Sequence, residues 1–309
     1  MNSAVCTLFE GDYYYGVGAL VNSLYKHGFR GVIWAGYRGA LPPWVKNIQQ
    51  YTHYQEFEVA EGCCIRFIAV STRAHLTNYK PAFMLDLWGN YCPDADELFY
   101  FDPDIVVKCR WSFFMEWAYR GVALCQEVSN QYWPVDHPIR LMLRDFAEAN
   151  GFTCYRSSSQ YFNGGFIGVH KKFRSFLELW VELIQKAQDE GGNVQEFNLG
   201  DITKLFNSLD QDTLYLASTI SEYPLSTLGS EGMDFVSGGF TMSHAVGSAK
   251  PWRKHMLREA VVGNAPTSAD KGYWQHTKVP ISLYSASMRI FKIVDLRCGA
   301  GLGRFVGRR

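Results

Sequence analysis

The sequence lacks the features that define three classes of protein. Its 30 basic and 30 acidic side chains cancel, so no net charge favours binding to nucleic acid. No apolar run approaches the roughly 18 residues that a membrane-spanning helix needs. The first residues do not have the pattern of a signal peptide. Together these absences favour a cytoplasmic protein.

Cysteine pairs with metal-binding spacing are also absent. None of the eight cysteines belongs to a C-x-x-C pair, and several lie inside apolar runs. This pattern predicts reduced, buried thiols rather than a zinc site or a disulfide framework. With 47% hydrophobic and 16% aromatic residues, the 309-residue chain can form a sizeable core.

The order of the apolar runs predicts an α/β fold with parallel strands. A strand pattern at 4–9 precedes helical spacing up to Gly28, and a second strand pattern follows at 31–35. We expect Pro42 and Pro43 to open a short helix, and Pro81 to lie in the first turn of another. Asp210 suits the N-cap of a later helix.

The stretch at 97–107 places two carboxylates between two short buried strands. Pro103 lacks a backbone donor, so it argues against one strand running through Asp102 and Asp104. Two carboxylates this close repel each other unless a cation lies between them, and divalent cations prefer such oxygens. The alternative is an ordinary turn, because Asp-Pro-Asp is also good turn chemistry.

Four further motifs stand out along the chain. Alone, each has a simpler interpretation: a lysine in solvent, an Asn-Gly turn, a helix cap or a structural histidine. The motifs are Tyr79-Lys80-Pro81, Phe162-Asn163-Gly164-Gly165, Asp210-Gln211-Asp212 and the segment from His244 to Trp252.

Together with the Asp-x-Asp pair, these motifs resemble the retaining GT-A glycosyltransferases of family 8. That family includes bacterial lipooligosaccharide galactosyltransferases and glycogenin. The resemblance covers roughly residues 4–255 and is most specific at His244, Gly247 and the run 250–252. It implies a GT-A (Rossmann-like) α/β fold with a mixed, mostly parallel sheet. The catalytic domain would span 1–262, and a basic, amphipathic helical extension would span 263–309.

The resemblance also implies roles for single residues. Asp102, Asp104 and His244 would hold Mn²⁺, with Mg²⁺ as the alternative, and this ion would bridge the donor phosphates. Lys250 would contact the diphosphate, and Gly247 would let the backbone approach it. The residues expected to be catalytic are Gln211, Asp210 and Asn163. Further contacts to the donor are expected from Lys80, Asp102, Gly164, Thr7, Asp12 and Tyr13.

The sequence therefore predicts a metal-dependent transferase that moves a hexose from a UDP-sugar to a glycan or lipid-linked acceptor, with retention. Pro103 and Tyr215 depart from the family pattern. The acidic loop that contacts the nucleobase in the family is reduced here to residues 10–12, so the identity of the nucleobase is left open. Sugar nucleotidyltransferases usually carry a glycine-rich, basic loop after the first strand, where it holds a triphosphate. In this sequence that loop contains Glu10 and Asp12, which disfavours this alternative. A non-catalytic glycan-binding protein is disfavoured because the metal motif is intact.

Two regions outside the motifs have predicted partners. The loops at 129–138 and 225–240 are candidates for acceptor binding. The segment 285–309 carries six basic residues against one acid, with apolar residues among them. This composition predicts peripheral contact with an anionic membrane, and a helix that caps the catalytic domain is the equal alternative.

Overall fold

The computed structural model describes residues 2–128, 133–197, 205–236 and 238–306. The chain divides into two compact units, each made of three segments. The first unit comprises 1–8, 69–101 and 112–230. The second comprises 9–68, 102–111 and 231–309.

The described residues form eleven strands and nine α-helices. The strands are β1 (Ser3–Glu10), β2 (Gly31–Arg38), β3 (Gln49–Gln50), β4 (Gln55–Ala60), β5 (Cys63–Ala69), β6 (Glu97–Phe101), β7 (Ile105–Val107), β8 (Val122–Gln126), β9 (Phe162–His170), β10 (Leu225–Leu228) and β11 (Met242–His244). The helices are α1 (Tyr14–Lys26), α2 (Leu76–Asp86), α3 (Trp111–Arg120), α4 (Pro138–Ala149), α5 (Ser175–Asp189), α6 (Leu209–Ile220), α7 (Met256–Val261), α8 (Ser268–Gln275) and α9 (Ala286–Val306).

In the first unit the strands lie in the order β10–β8–β9–β6–β1. β1 is parallel to β6 and β10 is parallel to β8, while β9 runs antiparallel to both β6 and β8. Aromatic side chains fill the core beside this sheet. For example, the rings of Trp117 and Phe166 stack with centroids 5.0 Å apart. This contact packs α3 against β9.

In the second unit the strands lie in the order β2–β5–β4–β3, and β5, β4 and β3 are antiparallel neighbours. A separate two-stranded sheet pairs β7 with β11, so that Ile105 lies opposite His244. Helix α1 packs against β7, and a Cβ at Gly16 would overlap the carbonyl oxygen of Pro103. Glycine at this position therefore allows α1 to lie directly against the Asp-Pro-Asp turn.

The α/β class, the mixed central sheet and the C-terminal helix are confirmed. Three local predictions are wrong. Pro81 lies inside α2 rather than in its first turn. Pro42 opens no helix, and its carbonyl only accepts a turn hydrogen bond from Val45 N at 3.0 Å. Helix α6 has Ser208 as its N-cap, and Asp210 lies in its first turn instead. In the described part of the chain, no helix is both long and apolar enough to cross a membrane.

Glu97 is a fully buried carboxyl group at the start of β6. Among the described residues, neither of its carboxylate oxygens has a hydrogen-bond partner. Burial, with the nearby Asp96 as a smaller cause, raises the pKa of Glu97 from its ordinary 4.5 to about 7. The folded protein therefore keeps this proton at pH values where the unfolded chain releases it.

We expect Glu97→Gln to stabilise the protein above pH 7 and to have little effect near pH 4. The contribution of Glu97 is fully present below pH 4.5 and is lost as the pH rises to about 7. At about 1.36 kcal/mol per pKa unit, the loss approaches roughly 3 kcal/mol. Urea unfolding at pH 5 and pH 8 measures it, with exposed Glu182→Gln as the control. An equal effect of Glu97→Gln at both pH values would contradict the prediction.

Candidate active site

The predicted metal ligands lie together in the second unit. His244 ends β11, and its Nε2 lies 3.2 Å from Asp104 Oδ1 and 3.7 Å from Asp102 Oδ2. One ligand atom from each of the three side chains lies within 4.8 Å of the others. Asp104 and His244 are buried, whereas the Asp102 side chain is 24% exposed. The site is thus open on the side of Asp102.

Local chain geometry explains how the two carboxylates converge. The backbone turns at Pro103, where Ile105 N donates to Asp102 O at 3.1 Å. Ala245 N donates to Asp104 O at 3.1 Å, which extends the pairing of β7 with β11. These bonds fix the carboxylates beside the imidazole, and two oxygen ligands with one nitrogen ligand suit a divalent metal ion.

Lys250 lies beside the same carboxylate. Its ammonium group forms an ion pair with Asp104 Oδ2 and donates to Ala245 O at 2.9 Å. Burial raises the pKa of Asp104, but His244 and Lys250 outweigh it, and the pKa lies well below its ordinary value. Gly247 has a φ of +87°, a conformation that favours glycine. The bonds to Asp104 and to Ala245 O therefore hold one fixed cation, Lys250, beside the predicted metal ligands.

Asp12 and Tyr13 lie next to this loop, also in the second unit. Asp12 accepts hydrogen bonds from Arg253 Nε at 2.7 Å and from Trp252 Nε1 at 3.1 Å. The bond from Arg253 lowers the pKa of Asp12. The Tyr13 ring lies 5.6 Å from the Lys250 ammonium and 5.4 Å from the Arg253 guanidinium. The negative charge of Asp12 is therefore balanced by Arg253, and the Tyr13 ring lies between the cations of Lys250 and Arg253.

A second cluster lies in the first unit, around Lys80. This lysine is only 1% exposed, and its Nζ lies 3.0 Å from Asp210 Oδ2 and 2.8 Å from Gly164 O. Gln211 Oε1 accepts from Gly164 N at 2.9 Å. A Cβ at Gly164 would lie 2.5 Å from Asp210 Oδ2, so only glycine allows this packing. The Lys80 cluster joins three of the predicted motifs.

Glu127 belongs to the first unit and was not predicted. This buried carboxylate accepts from Asn163 Nδ2 and from Val128 N, the latter at 2.7 Å. Asn163 Oδ1 in turn accepts from Gly165 N at 2.8 Å. The available signal was an acidic residue directly after the buried strand β8. Glu127 thus fixes the side chain of a predicted catalytic residue.

Asp212 directly follows Gln211 in α6, and its side chain is buried. It accepts from Tyr161 Oη at 2.7 Å and from the backbone of Ser208 and Asn207 at 2.9 Å each. Burial raises the pKa of Asp212 to about 6. These bonds join the start of α6 to the start of β9, so Asp212 organises the segment that carries Asp210 and Gln211.

The predicted site residues therefore fall into two groups, one in each unit. Thr7, of the first unit, is fully buried in β1, and its hydroxyl has no hydrogen-bond partner in the described chain. Of the predicted acceptor loops, 129–132 lie outside the described residues. The loop at 225–240 contains β10 and a short 3₁₀ helix, Ser230–Met233. The group in the second unit is Asp12, Tyr13, Asp102, Asp104, His244, Gly247 and Lys250, and that in the first is Lys80, Asn163, Gly164, Asp210 and Gln211.

Comparison with known proteins gives structural likeness only. No protein-family model and no curated protein sequence matches the chain. The glycosyltransferase GlyE of Streptococcus pneumoniae TIGR4 aligns over 96% of this chain and 64% of its own, with a TM-score of 0.51 and 14% identity. The bifunctional glycosyltransferase WbbM aligns over 89% of this chain and 51% of its own, with a TM-score of 0.47 and 14% identity. The likeness to GlyE shows that the chain has the GT-A type of fold that its sequence predicted.

Proposed function

We propose that this protein is a metal-dependent glycosyltransferase that moves a hexose from a UDP-sugar to a glycan or lipid-linked acceptor, with retention. The observation that carries the proposal is the convergence of Asp102, Asp104 and His244, with Lys250 beside them. Neither a turn nor a structural histidine requires two carboxylates, an imidazole and a buried ammonium group at one place. A site for a diphosphate bound through a metal ion would use all four groups.

The residues present fit a divalent ion. Two carboxylates and one imidazole leave coordination positions for phosphate oxygens, and the mixed donor set favours Mn²⁺ modestly over Mg²⁺. When bound, the ion would neutralise charge on the donor diphosphate. Burial of Asp104 and His244 limits competition from water, which strengthens every charge interaction at the site.

Lys250 would act on the leaving group. As the bond between the anomeric carbon and the phosphate oxygen breaks, its electron pair passes to the diphosphate. The ammonium group, already held by Asp104 and Ala245 O, can donate to that oxygen. The acceptor hydroxyl then bonds to the anomeric carbon from the same face, and its proton passes to the departing phosphate. Retention by this route avoids a covalent intermediate on the poorly nucleophilic Gln211.

We assign the orientation of the sugar to Gln211, Asp210 and Asn163, the residues that the family resemblance implies. Gln211 is fixed through its Oε1 by Gly164 N, so its amide N–H groups can donate to a sugar hydroxyl. Asp210, held by Lys80, can accept from another. Asn163 is fixed by Glu127. Preorganised hydrogen bonds of this kind stabilise a sugar that gains positive charge in the transition state.

Tyr13 and Thr7 are assigned to the donor nucleotide, with Asp12 in a positioning role through Arg253 and Trp252. The bonds from these two side chains to Asp12 support that role. We further assign the catalytic function to 1–262. For the extension 263–309 we propose peripheral contact with the inner, anionic face of a membrane, where a lipid-linked acceptor would be available.

Nucleotide release from a panel of nucleotide sugars tests the proposal. After exhaustive chelation we expect no release, and we expect added Mn²⁺ to restore release of UDP from one UDP-hexose. Full release in the chelated protein would refute the metal site. Formation of a nucleotide sugar from a nucleoside triphosphate and a sugar phosphate would identify a nucleotidyltransferase. Binding of a donor without turnover would identify a non-catalytic protein.

A further inference from the structure

His244 lacks the contact that commonly orients a histidine at a metal site. Its Nε2 faces Asp104 at 3.2 Å and Asp102 at 3.7 Å. Its Nδ1 is buried and has no hydrogen-bond partner in the described chain. A histidine that binds a metal ion through one ring nitrogen usually donates from the other to a carboxylate or a carbonyl group. Other contacts must therefore hold the imidazole of His244 in its orientation.

The Phe235 ring makes such a contact. Its centroid lies 5.8 Å from that of the imidazole, and the two planes are tilted by 36°. Aromatic rings at this separation attract each other and prefer defined relative orientations. The contact can orient the imidazole of His244 only if the backbone at Phe235 is itself fixed.

Asp234, the residue before Phe235, fixes that backbone. Its carboxylate is 5% exposed and accepts from Lys108 Nζ at 2.9 and 2.7 Å and from the Ser243 hydroxyl. Lys108 directly follows β7, and Ser243 lies in β11. One carboxylate therefore joins the segment that carries Phe235 to both strands of the two-stranded sheet.

The backbone of Asp234 is in a conformation that an aspartate rarely adopts. Its φ is +61°, a left-handed value that glycine adopts without strain. Residues in such conformations persist where surrounding contacts hold them, and they are frequent at functional sites. The hydrogen bonds to the carboxylate are the contacts that hold Asp234, so the side chain is what this position uses.

The two consecutive residues contact β11 on both of its faces. Ser243 and His244 follow one another in β11, and successive side chains of a strand point to opposite faces. The Asp234 carboxylate binds Ser243, and the Phe235 ring contacts His244. The end of β11 is thus held at the residue that supplies the metal ligand and at the residue before it.

We propose that Asp234 and Phe235 position His244 for metal binding. The Asp234 carboxylate fixes β11 through Ser243, and the Phe235 ring orients the imidazole so that its Nε2 faces the ion. Both are positioning residues, since neither is among the three side chains that converge on the metal position. This inference rests on the metal site of the proposed function and adds the residues that prepare that site.

Titration of the full chain with Mn²⁺ alone, read from the electron paramagnetic resonance signal of the free ion, tests the inference. Asp234→Gly suits the left-handed φ and removes every bond of the carboxylate. We expect it to raise the Kd for Mn²⁺ about tenfold, the lower end of the usual effect of residues that support a metal ligand. Ser243→Ala removes only the bond to β11, and Phe235→Leu removes only the ring contact. Both should raise the Kd in the same direction.

The matched control is Glu56→Ala. Glu56 is a carboxylate of the same unit, 19% exposed and paired with Arg66 at 2.7 Å. It lies in β4, outside the two-stranded sheet of β7 and β11. This control should lower the free energy of unfolding in urea and leave the Kd for Mn²⁺ at the wild-type value.

Four outcomes separate the inference from the proposed function. A wild-type Kd in folded Asp234→Gly would overturn the inference alone, and Ser243→Ala decides in its place if Asp234→Gly does not fold. An equal rise of the Kd in Glu56→Ala would show a general effect of lowered stability and would also overturn it. No Mn²⁺ binding by the wild type would overturn both the inference and the metal site. Weakened Mn²⁺ binding in the variants, without nucleotide release by the wild type from any nucleotide sugar, would refute the transferase and support the inference.

Discussion

Replacement of Asp104 by asparagine is expected to lower turnover by at least 10²–10³-fold, the usual effect of losing one key charge-stabilising group. Asp104 contacts both His244 Nε2, at 3.2 Å, and the Lys250 ammonium group. The amide keeps the shape of the side chain but removes the charge that holds a cation. Steady-state nucleotide release at saturating Mn²⁺ measures turnover, and titration of free Mn²⁺ measures metal affinity.

Asp94→Asn is the matched control, because Asp94 is exposed and lies outside both residue groups. It should leave turnover and Mn²⁺ affinity unchanged. Asp104→Asn should also weaken Mn²⁺ binding by tenfold or more while the protein remains folded. Wild-type turnover in the folded Asp104→Asn protein would contradict the metal assignment for Asp102 and His244 as well, because the three side chains are proposed to bind one ion.

The sequence predicted the Asp-Pro-Asp turn because its signals are local. Buried strands on both sides and a proline between the carboxylates suffice to place a break there. The ion pair with Lys250 could not be predicted in this way, because Lys250 follows Asp104 by 146 residues. Only the pairing of β7 with β11 brings the two together. Resemblance to a family, rather than local pattern, assigned Lys250 to the donor diphosphate, and its bond to Asp104 was not predicted.

Long-range packing also explains the failed and missed predictions. Pro42 and Pro43 fit the first turn of a helix, but the segment that follows forms only a turn before β3. Glu127 follows a buried strand, as many surface acids do, and only the position of Asn163 on β9 makes it part of a hydrogen-bond network. A lysine in this sequence context is expected to lie in solvent. Lys80 can be buried because Asp210 and Gly164 O both accept hydrogen bonds from its ammonium group. Such environments are set by tertiary neighbours.

The Lys80–Asp210 pair gives the second large expected effect. Lys80→Met leaves the Asp210 carboxylate buried without its cation, since the side chains of Lys80 and Asp210 are 1% and 3% exposed. Breaking a buried pair in this way destabilises a protein by about 3–5 kcal/mol. We expect a loss of this size in urea unfolding at pH 7. The control is Lys278→Met, because Lys278 is exposed. This variant should change the unfolding free energy by no more than about 0.5 kcal/mol.

A double variant separates stability from catalysis. Lys80→Met with Asp210→Leu removes both buried charges, and apolar replacement of such pairs is often neutral or stabilising. We therefore expect the double variant to regain most of the unfolding free energy that Lys80→Met loses. Its turnover should stay at least tenfold below wild type, because no carboxylate remains to accept from the sugar. Recovery of both stability and turnover would show that the pair only holds Gly164 in place, and the sugar-orienting role would then rest on Gln211 and Asn163 alone.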